Sequence, residues 1–167
     1  DRLTPLRGPL GKRPLAELRE HAIPTLEDVL ELARGRIGVM AELKSPHLYR
    51  RHDVAGRTAA LLGPDDVLVS FSRRALLQGK RGRPDLRLLQ HVGLGVSIRA
   101  ASSYAWGVGF WEPRVTGRGL AKARKLGLAT TVYTVNEPER MRELSALGVD
   151  GIFTDCPDRA RAAMRPR

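Results

Sequence analysis

Glu42 and Lys44 stand two residues apart at the close of the apolar run IGVMAEL, Ile37 to Leu43. Side chains at i and i+2 of an extended strand leave the same face, so the two can reach one site. There a carboxylate can hold a hard cation while the ammonium beside it meets an anionic substrate. A plain ion pair at a strand end carries equal weight on pattern alone. Other polar residues close apolar runs in the same way: Ser70, then Tyr133, Thr134 and Asn136, then Thr154 and Asp155. In parallel α/β folds the functional groups gather where strands end, at the C-terminal edge of the sheet.

The elements that must carry these residues are legible as six strand-length runs. They are Ile37 to Leu43, Val67 to Phe71, Leu86 to Gln90, Trp106 to Trp111, Ala129 to Val135 and Asp150 to Thr154. Most are continuously apolar rather than alternating, which suits parallel strands covered on both faces. Helical periodicity lies between them. Thr25 and Asp28 make a capping-box-like opening to a run that Gly35 stops, and Asn136 with Pro138 opens another that Gly148 ends. Weaker helical patterns span about 53–62, 118–126 and 157–164, and Asp155 is expected to cap the last.

Strand and helix in alternation predict a parallel sheet, open or closed into a barrel. Six strands are two short of an eight-stranded barrel, whose usual length is about 250 residues. Gly107 and Gly109 lie inside a strand and lack the third glycine of a dinucleotide-binding turn.

Composition narrows the function classes. A chain of 167 residues fits one domain over 1–167, and 42% hydrophobic with 28% charged residues is globular in balance. No run reaches the roughly 18 apolar residues of a membrane span. One cysteine, Cys156, makes no internal disulfide and no cysteine-built zinc site. The net charge of +11 invites a nucleic-acid reading, but 24 of the 29 cations are Arg, they are spread throughout, and aromatics are only 5%. Stacking platforms for bases are therefore few, and no nucleic-acid partner is expected. The stretch Arg73 to Arg87 is the densest anion-attracting patch. The first residue is Asp rather than Met, so targeting is not readable. The expectation is a soluble protein, cytoplasmic rather than secreted, with the compartment left open.

The segments IPTLEDVLELARGRIGVMAELKSP, Ser70-Phe71 and VYTVNEPERMRELSALGVDGIFTDCPD resemble the glycerophosphodiester phosphodiesterases. DRLTPLRGPLG resembles the stretch just after that family's second catalytic histidine. The resemblance implies an α/β fold, a TIM (β/α)8-type barrel lacking about its first two strands. It implies hydrolysis of a glycerophosphodiester substrate to an alcohol and glycerol 3-phosphate with a divalent metal, Mg or Ca. Glu42 would be the metal ligand of the Glu-Leu-Lys motif, Lys44 would meet the substrate phosphate, and Tyr133 would stand where the family carries Trp as an aromatic wall.

The family's His-Arg-Gly, Glu-x-Asp and His-Asp motifs would lie upstream of Asp1, so this chain alone is expected to be inactive. Of its histidines, His21, His52 and His91 read as surface or capping residues, and His47 is the one candidate near the active edge. Phe71, Trp106, Phe110 and Trp111 line either the barrel mouth or the core. A second hypothesis is a catalytically dead barrel that binds anionic phosphate compounds or a protein partner. Its open strand edges would be places for self-association with a second copy.

Overall fold

Val, Leu and Ile crowd the strand runs because both faces of a parallel sheet must be hidden. The computed structural model describes residues 4–93 and 95–164, so the first three residues of the DRLTPLRGPLG stretch lie outside the described residues. All six expected strands form, the third shifted one residue onward, to end at His91 rather than Gln90, and the other five shorter than their runs. They are β1 (Met40–Leu43), β2 (Val67–Ser70), β3 (Arg87–His91), β4 (Gly107–Trp111), β5 (Ala129–Tyr133) and β6 (Gly151–Ile152). Every neighbouring pair is parallel, and the spatial order is the chain order. A sheet that always adds its next strand on the same side is the beginning of a barrel. Six strands with their helices make an incomplete barrel of the (β/α)8 type.

Eight α-helices lie among the described residues. Two, α1 (Leu15–Glu20) and α2 (Leu26–Ala33), precede the sheet, and α3 (Val54–Leu61) joins β1 to β2. Next come α4 (Arg73–Gly82), α5 (Ile98–Ala101), α6 (Gly117–Lys125), α7 (Pro138–Ala146) and α8 (Pro157–Ala163). The capping box of α2 is present: Asp28 N–H donates to Thr25 Oγ at 3.2 Å, and Thr25 N–H to Asp28 Oδ2 at 2.9 Å. Gly35 stands just beyond the helix end at φ +71, a conformation that favours glycine.

Two cap expectations are corrected. The N-cap of α7 is Glu137 and that of α8 is Cys156, and neither side chain makes a cap hydrogen bond. Asn136 and Asp155 instead bond to each other across two loops, with Asn136 Nδ2 donating to Asp155 Oδ2 at 3.0 Å.

Sequence periodicity missed α4 and α5. Helix α4 hides in the basic stretch, burying only Ala75, Leu76 and Gly79. A Cβ at Gly79 would stand 2.6 Å from Leu68 Cδ2, so the bare backbone lets α4 lie close on β2. Several cations of this stretch are engaged within the protein. Lys80 Nζ donates to the Tyr104 carbonyl at 2.8 Å, and Arg83 Nη1 to that of Leu62 at 2.8 Å. Arg73 lies over the Tyr104 ring and Arg87 over Trp106.

The two faces of the sheet divide cleanly. On the outer face Leu68, Leu88, Val108 and Val132 pack with helix residues such as Leu76, Leu120, Met141 and Leu144. On the inner face Val67, Val69 and Leu89 pack with Phe153. Aspartates clasp the N-terminal ends of the strands. Asp66, just before β2, accepts from Val39 N–H at 2.7 Å and Gly63 N–H at 2.8 Å. Asp150, just before β6, accepts from the N–H and hydroxyl of Thr130 on β5 at 2.7 and 2.8 Å. Those Thr130 bonds hold the Asp150 carboxyl below its ordinary pKa.

His91 continues the inner face two residues after Leu89 and is 3% exposed, which corrects its reading as a surface or capping residue. A Cβ at Gly109, its register partner on β4, would collide with His91 Nδ1. Nδ1 has no hydrogen-bond partner among the described residues. Burial drives the imidazole pKa from 6.5 down to about 4; the nearby Gly109 backbone opposes the shift and the Lys44 charge adds to it.

Removing the β2 clasp strands two partly buried amides, so Asp66→Ala is expected to cost about 3 kcal/mol, read as a lower urea midpoint. For His91 the unfolded chain binds its proton more tightly than the folded one. Its stabilising effect is therefore complete above pH 6.5 and lost as pH falls toward about 4. The amount is about 3 kcal/mol, and a urea titration across that window is expected to show a slope that His91→Leu flattens.

Candidate active site

Strand register carries Glu42 to the inner face. It lies opposite Val69, which packs on that face, and Lys44 follows one residue past the strand end. Lys44 Nζ stands 3.8 Å from Glu42 Oε2, with the lysine side chain 80% exposed and the glutamate 27%. So long and wet a pair contributes little to stability and leaves both charges open to a ligand. His47, in the short helical segment Pro46–His52, and Phe71 border the same hollow.

A buried chain of hydrogen bonds fixes this strand end. The Ser70 hydroxyl donates to the Leu43 carbonyl, between Glu42 and Lys44, at 2.9 Å and accepts from Ser72 N–H at 3.0 Å. Gln90 Nε2 donates to the carbonyls of Ser70 at 3.3 Å, Phe71 at 3.0 Å and His91 at 2.8 Å. Gln90 Oε1 accepts from the Tyr104 hydroxyl at 2.8 Å. Ser70 and Gln90 are both 0% exposed, so each bond replaces water that the site excludes. Ser70, singled out as a strand-ending polar residue, thus fastens β1 to β2 and faces no ligand.

Across the sheet from Glu42 rises an aromatic wall. The His91 ring lies 4.5 Å from Phe71, 4.3 Å from Tyr133 and 5.8 Å from Phe153, centroid to centroid. Phe71 meets Tyr133 edge-on at 5.7 Å. His91 on β3 touches Tyr133 on β5 because Gly109 on the intervening strand carries no side chain. Tyr133 is half-buried, and its phenol pKa is raised by burial first and by the Glu42 carboxylate second, so the wall stands within the field of that charge. Sequence reasoning missed His91 as part of this wall. The available signal was its two-residue offset from Leu89 and the glycine on the next strand.

The remaining candidates separate. Trp106 precedes β4 at the opposite end of the sheet and does not line the mouth. Phe110 belongs to the outer core, while Trp111 is 48% exposed at the mouth beneath Arg114. Thr134 is exposed. Asn136 Oδ1 accepts from the Thr154 hydroxyl at 3.1 Å and from Asp155 N–H at 2.9 Å, joining two loops at this end. Among the described residues no three His, Cys, Asp or Glu side chains gather to hold a metal ion. Glu42 alone does not fit a Mg or Ca site, which takes six or more oxygens. No helix among the described residues is long and apolar enough to cross a membrane.

The Bacillus subtilis glycerophosphodiester phosphodiesterase is 29% identical over 155 residues, covering 81% of this chain and 52% of its own. That of Bacillus altitudinis is 31% identical over 155 residues, covering 83% and 61%. The chain thus spans between half and two thirds of the length of these curated relatives. An Oleispira antarctica phosphodiesterase, solved with the product sn-glycerol-3-phosphate, superposes with a TM-score of 0.80 over 98% of this chain and 75% of its own. At 21% identity it speaks for the fold alone. A model of the glycerophosphoryl diester phosphodiesterase family matches residues 75–159, half of the chain and beyond the Glu42–Lys44 pair, and the chain belongs to that family.

Proposed function

We propose that the complete protein hydrolyses glycerophosphodiesters to an alcohol and glycerol 3-phosphate, and that Glu42, Lys44 and Tyr133 belong to its substrate and metal site. The observation that carries this reading is the loose Glu42–Lys44 pair at the C-terminal end of β1, facing an aromatic wall. An exposed ammonium suits a non-bridging phosphate oxygen, whose charge grows as the ester is cleaved. Phe71 and Tyr133 would bound the organic part of the substrate and keep water from its flank. His91 lies behind them, too buried to touch substrate, and acts by holding Tyr133 in place.

A divalent metal, Mg or Ca, belongs to the same proposal. Glu42 would give it one carboxylate oxygen, and the other ligands would come from beyond the described residues. General acid and base would likewise come from the family's two histidine motifs, so the present chain alone has negligible turnover. Open edges at β1 and β6 would close against further strands of the barrel in the complete protein, and the exposed Ile37, just before β1, and Met40, its first residue, support that docking.

Release of glycerol 3-phosphate, followed with a coupled dehydrogenase, tests the reading on the complete protein. Glu42→Gln is expected to lower kcat/KM by about a thousandfold and Lys44→Met by about a hundredfold. Tyr133→Ala is expected to raise KM with little change in kcat, the mark of lost uniform binding. Turnover that survives Glu42→Gln would remove the site assignment.

A further inference from the structure

A cavity of about 670 Å³ opens beside the candidate active site, between the β3–α5 and β4–α6 connections. Phe71 and Tyr133 of the aromatic wall form part of its lining, and Phe71 also borders the hollow that holds Glu42 and Lys44. From that inner-face boundary the cavity passes Val96 and Ile98 to Lys122 on α6, in the helix layer. It therefore runs outward from the point where the phosphate would sit, and every wall comes from β2 through β5 and their connections.

Its chemistry is lopsided. Val92, Val96, Ile98 and Phe110 make the walls apolar, and among the described residues no carboxylate lines it. Two cations do: Lys122, and Arg114, whose guanidinium lies 5.3 Å from the Trp111 ring centroid. Neither makes an ion pair among the described residues. Glu112, the acid nearest Arg114 in the chain, has Oε1 occupied by Arg140 Nε at 2.7 Å. An apolar passage with two unopposed cations complements a ligand of the same build: a hydrocarbon body ending in an anion.

We propose that this cavity receives the alcohol half of the phosphodiester and selects alcohols whose apolar body ends in an anionic group held by Arg114 and Lys122. The assignment rests on the phosphodiesterase reading, because it takes the phosphate to lie at Lys44. Arg114 is pre-oriented by its stacking on Trp111, which lowers the entropy lost when the anion binds.

Trp111 supplies the readout. The chain has two tryptophans, and Trp106 lines a separate hollow, so Trp106→Phe leaves Trp111 as the sole reporter. Two probes are glycerol 3-phosphonate analogues in which carbon replaces the scissile ester oxygen, one carrying a hexyl chain and the other an ω-carboxyhexyl chain. The carboxylate probe is expected to change Trp111 fluorescence with a Kd about tenfold below that of the hexyl probe, or ~1.4 kcal/mol. Arg114→Gln with Lys122→Gln is expected to erase the difference while leaving the hexyl Kd within about twofold. Equal Kd values, a preference that survives the double substitution, calorimetric binding without a Trp111 signal, or no binding at all overturns the proposal.

Glycerol 3-phosphate separates the two readings. Binding that Lys44→Met abolishes, together with equal probe affinities, sinks the cavity assignment and leaves the phosphodiesterase site standing. Binding indifferent to Lys44→Met sinks the phosphate site itself.

Discussion

The candidate site depends on a line of buried hydrogen bonds running from the Leu43 carbonyl through Ser70 and Gln90 to Tyr104. Strand ends are where a parallel sheet runs out of ladder, and their last carbonyls need partners wherever water is shut out. Ser70 and Gln90 provide them from side chains that are themselves wholly buried, so no member of the line can turn away without stranding another. This line sets where β1 stops, and so where Glu42 and Lys44 emerge. It also fixes the Phe71 carbonyl and, through it, the boundary between the charged hollow and its apolar neighbour.

The aromatic wall obeys a different constraint, that of packing across a missing side chain. A ring on β3 reaches a ring on β5 when the strand between them carries glycine at the right register, and Gly109 meets that condition. The imidazole gives up a hydrogen bond at Nδ1 for three aromatic neighbours. Its neutral form is the one compatible with so dry a position.

Much of this was legible in the sequence because apolar runs report parallel strands directly. All six strands were, and so was the same-face placement of Glu42 and Lys44, a consequence of two-residue alternation alone. Helix α4 was not, because a helix that buries two alanine-sized positions and one leucine among arginines has little apolar stripe to detect. Asn136 and Asp155 looked like caps because their residue types are cap formers. Their side chains were taken up by a loop-to-loop bond, a tertiary choice that local pattern does not encode. His91 was misplaced for a similar reason: what buries it is a glycine on the neighbouring strand, 18 positions away.

The aspartate clasps before β2 and β6 act at the end of the sheet remote from the catalytic candidates. Each ties a new strand to the one before it as the chain enters the sheet, so the pairings of β1 with β2 and of β5 with β6 are anchored at the entry edge. Exit-edge loops outside the Ser70–Gln90 line and the Asn136–Asp155 bond are thereby relieved of much of the task of setting register. They can be lengthened, shortened or exchanged while the staves of the barrel keep their places. A scaffold fastened at one rim is free to try new pockets at the other.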